Sequence, residues 1–333
     1  MSETQTTSYT MTPNSEAVPG TSQSVSTGAS KYMFQGEIAN MRALVPVLKS
    51  ICIKRTAIMA ITERGLKISC EEDSKTIQAT AFIDRNLFQK YEMRNESKPE
   101  SLCFRMSDLL NALSILFPEC QSQSAENIPF GNANTSILRW KYECAERLKL
   151  QVINGDHSAM AYIQTFTPTK LVVFSMSFVN KVILDASVLI DFWKCADTAS
   201  THLHIKISSD EPWFELATES DRGRFVYRVT AQSIHVEHYE CTVPISNRYE
   251  MTTMHCTLRP LLLASKISIR MDGNGLLNMQ FLIRLDSTNT EFLSLDKEAP
   301  LNSNANITSQ MSNTTEIQKC FIEFFIVPSL DCE

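Results

Sequence analysis

Lys266-Ile-Ser-Ile-Arg-Met271 alternates polar and apolar side chains, Asp272-Gly-Asn-Gly275 turns the chain, and Leu276-Leu-Asn-Met-Gln-Phe-Leu-Ile-Arg-Leu285 runs back. Successive side chains of a strand point to opposite faces, so Ile267, Ile269 and Met271 share one face while Lys266, Ser268 and Arg270 share the other. Asp, Asn and Gly supply the turn. The segment reads as a β-hairpin with one face in a core. Immediately upstream, Thr257 to Ala264 reads as a short helix in which Pro260 falls in the first turn, where a missing N–H is tolerated. Tyr249 to Leu263 is thus a strand running into a leucine-rich helix and then a hairpin.

Further outward the same pattern recurs. Phe104 to Ile115 is again a strand, Ser107 as a cap, and a leucine helix, followed by a meander at Ile137–Tyr142, Arg147–Ile153 and Ala159–Gln164. Val47 to Ile83 reads helix, hairpin, strand, as does Leu189 to Val229. The hairpin in the first is Ala57–Thr62 and Leu66–Glu71; the second holds His202–Ser208, Trp213–Thr218 and Gly223–Val229. A helix carrying Met41, Leu44, Val45 and Leu48 on one stripe opens the first copy, with Asn40 as N-cap and Pro46 predicting a kink or a late start. Ser107–Phe117 and Ser187–Asp197 supply two more helices. The expectation is an α+β duplication, each unit a sheet with two helices on one face. Its boundaries are 31–165 and 180–330, joined by a connector at 166–179. Residues 1–30, the loop 121–134 and an insertion at 286–316 are too polar to offset ordering entropy and are expected to stay outside the fold.

Composition narrows the function. A chain of 333 residues with 43% apolar types can bury a core, and 31 basic against 37 acidic residues give a net charge of −6, unsuited to coating nucleic acid by bulk charge. No run of eighteen apolar residues is present, and residues 1–30 hold neither Lys or Arg nor an apolar run, so a membrane span and a leader peptide are not expected. Ten irregularly spaced cysteines read as reduced thiols, with Cys52, Cys70 and Cys103 as core fillers.

No Gly-rich phosphate loop, nucleophile elbow or zinc spacing occurs, so no catalytic residue, metal or cofactor is expected. Glu71-Glu72-Asp73 is the one cluster that would suit a metal-dependent nuclease, and it reads instead as a solvated turn because strand neighbours diverge. His202 and His204 share a strand face, with His235 and His238 further on, and lack any supporting cysteine pair. The cations are more informative. Arg42 and Lys49, seven apart, share a face of the first helix; Arg259 and Lys266 show the same spacing at the fourth; Lys194 decorates the third. Corresponding helices of both copies carrying cations on an acidic chain suggest a local nucleic-acid track.

The duplicated unit with basic helices resembles the sliding-clamp family of PCNA. Ser265 to Arg284, Asn247-Arg248-Tyr249, Gly65-Leu-Lys-Ile-Ser69 and Ala79-Thr-Ala-Phe-Ile83 are similar to its Rad-one branch, from the nine-one-one checkpoint clamp. Ile322-Glu-Phe-Phe-Ile-Val-Pro328 is similar to the family's last strand. The resemblance covers residues 31–330 apart from the loops. It implies two PCNA-like clamp domains in a nuclear heterotrimer with two related subunits, a ring closed around double-stranded DNA by a clamp loader. Such a ring supports checkpoint kinase signalling and serves repair and signalling proteins, without a membrane. Arg42, Lys49, Lys194, Arg259 and Lys266 would face DNA. Subunits would join at the edges Ala159, Tyr162, Gln164 and Gly223, Tyr227, Val229. Client peptides would dock at Leu66, Ile68, Leu171, Val173, Phe325 and Pro328. The alternatives are a replicative homotrimeric clamp and the nuclease. Thr4-Gln5, Ser22-Gln23, Ser122-Gln123 and Ser309-Gln310 would be phosphorylation targets of the damage kinases.

Overall fold

Alternation of apolar and polar residues makes strands the main element among the described residues, and helices appear where the apolar spacing widens to three and four. The structure, a computed structural model, describes residues 32–39, 41–94, 100–117, 137–143, 147–154, 157–285 and 319–329. The expected extension 1–30, the loop 121–134, the insertion 286–316, Asn40 and the four Ser/Thr-Gln dipeptides lie outside the described residues.

The first half runs β1 (Phe34–Ile38), α1 (Met41–Ser50), β2 (Thr56–Thr62), β3 (Gly65–Glu71), β4 (Ile77–Asp84), β5 (Lys90–Met93), β6 (Glu100–Arg105), α2 (Met106–Leu116), β7 (Ile137–Tyr142), β8 (Leu148–Asn154) and β9 (His157–Ile163). The short β10 (Thr165–Phe166) and the connecting segment follow. The second half runs β11 (Phe178–Asp185), α3 (Ala186–Cys195), β12 (His202–Ile207), β13 (Phe214–Ser220), β14 (Gly223–Val229), β15 (Val236–Cys241), β16 (Ile245–Glu250), α4 (Met251–His255), α5 (Leu258–Leu263), β17 (Ala264–Asp272), β18 (Leu277–Arg284) and β19 (Lys319–Ile326). The order of element types from β1 to β9 recurs from β11 to β19. The fold is α+β.

The strands form three antiparallel sheets, ordered β5-β1-β7-β8-β9, β14-β13-β12-β16, and β10-β6-β2-β3-β4-β19-β18-β17-β11-β15. The ten-stranded sheet holds one sheet from each half. Its β6-β2-β3-β4 portion repeats the order of β16-β12-β13-β14, and its β15-β11-β17-β18-β19 portion repeats β5-β1-β7-β8-β9. The weld is the pairing of β4 with β19, from Ile77↔Ile326 to Phe82↔Phe321.

The helices cover the inward face of these sheets. Leu44, Val45, Val47 and Leu48 of α1, Leu109 and Leu113 of α2, Phe192 of α3 and Leu261 of α5 are buried against strand residues such as Ile68, Phe104, Trp140, Phe281 and Phe324. Phe281 and Phe324 meet edge to face at 5.8 Å, and burying each ring contributes about 1.5–3 kcal/mol. The hairpin turn at 272–275 is a small structure of its own. Asp272 Oδ1 accepts from the N–H groups of Asn274 and Leu276. Tyr249 donates its hydroxyl to the Gly275 carbonyl at 2.7 Å. Gly275 sits at φ +81°, and a Cβ there would lie 2.3 Å from the Asn247 side chain. Asn247 and Tyr249 are therefore tied to the hairpin that follows them.

Several local expectations shift. Ser107 does not cap α2: the helix begins one residue earlier at Met106, Arg105 takes the cap position without a side-chain bond, and Ser107 Oγ donates to Asp108. Pro46 lies inside α1, which runs from Met41 to Ser50. The fourth helix is found as α5, Leu258–Leu263, with Pro260 in its first turn, and a separate short helix, α4, precedes it, the Thr257 hydroxyl donating to the Met254 carbonyl between them. Cys70 and Cys103 are buried as expected, whereas Cys52 is half-buried at the end of α1.

Candidate functional site

Three surfaces can act. The first is a row of helices, since α2 contacts α1, α1 contacts α5 and α5 contacts α3. Their sequences hold four cations, Arg42, Lys49, Lys194 and Arg259, against two carboxylates, Asp108 and Asp191. On a chain of net charge −6 this row is locally basic. Lys49 lies in the last turn of α1 and Arg259 is exposed on α5. The Arg259 charge partly opposes the upward push of burial on the Cys52 thiol, which places it beside the end of α1. Lys194 is exposed but bonded to Asp191 at 2.9 Å. Arg42 belongs to α1 by its backbone, and its side chain lies outside the described residues.

Lys266 does not join this row. The helix ends at Leu263 and Ala264 is already extended, so the seven-residue spacing from Arg259 crosses a helix–strand junction. Lys266 stands in β17 on the face opposite Ile267 and Ile269, paired with Glu237 of β15. That bond raises its pKa.

The second surface is a pair of free strand edges. Among the described residues β9 pairs only with β8, and β14 only with β13. The two edges differ. On β9, Met160 and Tyr162 are 50% and 56% exposed, with the Lys149 ammonium 5.7 Å from the Tyr162 ring centre. Ala159 is half-buried on the alternate face, and Gln164 follows the strand end. On β14 the outward residues are Arg224 and Arg228, both bonded to Glu215. Tyr227 points inward onto Phe192 and Val229 is buried, so at those positions main chain rather than side chain is presented. Gly223, exposed at φ +134°, begins the strand.

The third surface lies on the outward face of the ten-stranded sheet, where the connecting segment crosses β3, β4 and β19. Leu66 and Ile68 are not part of it. They face the core, opposite Ile83 and Ala81, and are 2% and 0% exposed. The strand period sends Lys67, Ser69 and Glu71 outward instead. Glu71 is no solvated turn residue either. It is buried, bonded to Lys75, and its Oε1 accepts the Val172 N–H at 3.1 Å. Gln78 Nε2 donates to the Val172 carbonyl at 3.1 Å. Phe174 stacks on Phe325 with ring centres 5.1 Å apart. Leu171 and Pro328 are half-buried nearby in sequence, while Val173 is 90% exposed. Further along the same face a shallow groove of about 390 Å³ is lined by Lys67, Phe82, Gln280, Phe321 and Glu323 among others.

The part that Glu71 and Gln78 play in holding the connecting segment, and Phe174 itself, escaped the sequence reading. Phe174 closes the apolar run Leu171-Val172-Val173-Phe174, which was a usable signal. Nothing local marks Glu71 or Gln78 for that contact, because their shared partner lies about a hundred residues away. The acidic cluster is dispersed: Glu72 accepts from Ser74 and Thr76, and Asp73 pairs with Lys54. Among the described residues no three His, Cys, Asp or Glu side chains converge as metal ligands.

A family model described as "Repair protein Rad1/Rec1/Rad17" matches residues 33–283. The chain is 28% identical over 272 residues to the "Cell cycle checkpoint protein RAD1" of Homo sapiens, covering 80% of this chain and 92% of that protein. It is 30% identical over 264 residues to the protein of the same name in Mus musculus, covering 76% and 88%. The "DNA damage checkpoint control protein rad1" of Schizosaccharomyces pombe is 24% identical over 264 residues, covering 75% and 81%.

Proposed function

The chain belongs to the Rad1/Rec1/Rad17 repair-protein family, and we propose that it is one subunit of a heterotrimeric ring that encircles double-stranded DNA at damage sites in the nucleus. Two clamp domains, 31–165 and 180–330, are joined by the connector 166–179. One observation carries the reading. Within the chain, β4 and β19 pair and weld two sheets into one, while among the described residues the strands in the matching places, β14 and β9, keep an open edge. Pairing β9 of one subunit with β14 of the next would repeat the β4–β19 joint at each boundary. Open edges seek partners, and ring closure satisfies their backbone groups.

The unlike chemistry of the edges, Met160 and Tyr162 on one and Arg224 and Arg228 on the other, favours two different neighbours over three identical subunits. The helical row, with Lys49 and Arg259, then supplies loose phosphate attraction, enough where encirclement itself retains the DNA. A clamp loader opens the ring, and signalling and repair proteins bind its outside. Their peptides dock where the connector meets β19, at Leu171, Val173, Phe325 and Pro328. The dispersal of Glu71, Glu72 and Asp73 weighs against the nuclease. Mixing the chain with two related subunits and sizing the product tests the ring: a stable trimer is expected, and a self-trimer formed without them would favour the replicative alternative. For the peptide site, Leu171→Asp with Phe325→Asp should abolish client binding while the trimer assembles. Undiminished binding would move the site to the groove at Phe82 and Phe321.

A further inference from the structure

The aromatic seat on Phe325 is filled by the chain itself. Phe174 lies over it with ring planes 18° apart. One residue before Val173, both backbone groups of Val172 are held, its N–H by Glu71 and its carbonyl by Gln78. Both holding side chains are buried, at 8% and 6% exposure. Val173 between the clamp and the stack makes almost no contact, so the segment is anchored by one residue's main chain and the next-but-one residue's ring.

We propose that the connecting segment is a plug in its own peptide site. Phe174 occupies the place that a client's aromatic anchor takes, and Glu71 and Gln78 are positioning residues that keep it there. The inference rests on the client-site reading above. A client must displace Phe174, so its apparent affinity is reduced by the fraction of molecules in which the seat is open. Clients that offer only an aliphatic anchor are rejected, because they lose the ring stack without replacing it.

The assay uses the assembled trimer and the peptide acetyl-Ile-Ser-Ser-Phe-Phe-amide, with calorimetry for binding and amide hydrogen exchange for the plug. The Val172 amide should be protected in the wild type and should exchange about fivefold faster in Glu71→Ala, where its acceptor is gone. Phe174→Ala should bind the peptide about two- to tenfold more tightly, the worth of one aromatic pair, and Phe174→Tyr should restore wild-type affinity. An unprotected Val172 amide in the wild type overturns the plug. So does equal or weaker peptide binding by Phe174→Ala, which would make Phe174 an idle residue or a wall of the site. A protected Val172 with no peptide bound by any variant overturns the client-site reading, and the role of the plug with it.

Discussion

Reversing Lys49 and Arg259 to Glu in the assembled ring separates a basic helical row from basic residues elsewhere. Each cation that neutralises a phosphate of duplex DNA contributes about 0.9 to the slope of log affinity against log salt. Losing both should flatten that slope by about 1.8. Between 50 and 200 mM salt, roughly 0.6 in log units, the wild type should then lose about tenfold more affinity than the variant. Lys194→Glu should have a smaller effect, because Lys194 already shares its charge with Asp191. Lys266→Glu is the internal control: on the opposite sheet face, it should leave the slope unchanged. The assay is fluorescence anisotropy of a short labelled duplex titrated with trimer over a salt series, after sizing confirms that each ring is intact. An equal loss of slope in Lys266→Glu, or none in the double reversal, would refute the assignment of DNA to the helical row.

Other consequences are as direct. Tyr162→Pro should prevent pairing with one neighbour only, seen as a single missing pairwise complex by size exclusion, because proline disrupts a strand ladder while edge strands tolerate it in the free subunit. Phe324→Ala should lower unfolding free energy by about 3–5 kcal/mol in urea titration, since the ring is fully buried against Phe281 beside the weld. Gly275→Ala should destabilise as well, meeting both a left-handed backbone and the Asn247 side chain. Burial pushes the Cys70 and Cys320 thiols up to about 12. A raised thiol pKa favours the neutral form in the fold, so this contribution is complete below the ordinary thiol value of about 8.5 and declines as pH rises from there towards 12. Thermal melts should fall over that interval, and less so in Cys70→Ala with Cys320→Ala measured against its own neutral-pH value.

Hairpins and meanders were legible in the amino-acid sequence because both their signals are local. Alternation along Lys266–Met271 and the turn at Asp272–Gly275 lie within a few residues of one another, and the pairing they imply is the one observed. The order of elements in the two halves was legible for the same reason. Sidedness was not. Leu66 and Ile68 had to share a face, but whether helices or solvent lay against it depended on packing from elsewhere in the chain, and they turned inward. Lys266 shared a spacing with Arg259 that holds only while the helix continues, and Ala264 ended it. Glu71 found its use in a backbone amide at Val172, and β4 found β19 across more than two hundred residues. Period and turn chemistry act through neighbouring bonds and so are determined by sequence alone. Which face is covered, which edge stays open and which carboxylate is consumed depend on non-local contacts, and only the tertiary structure decides them.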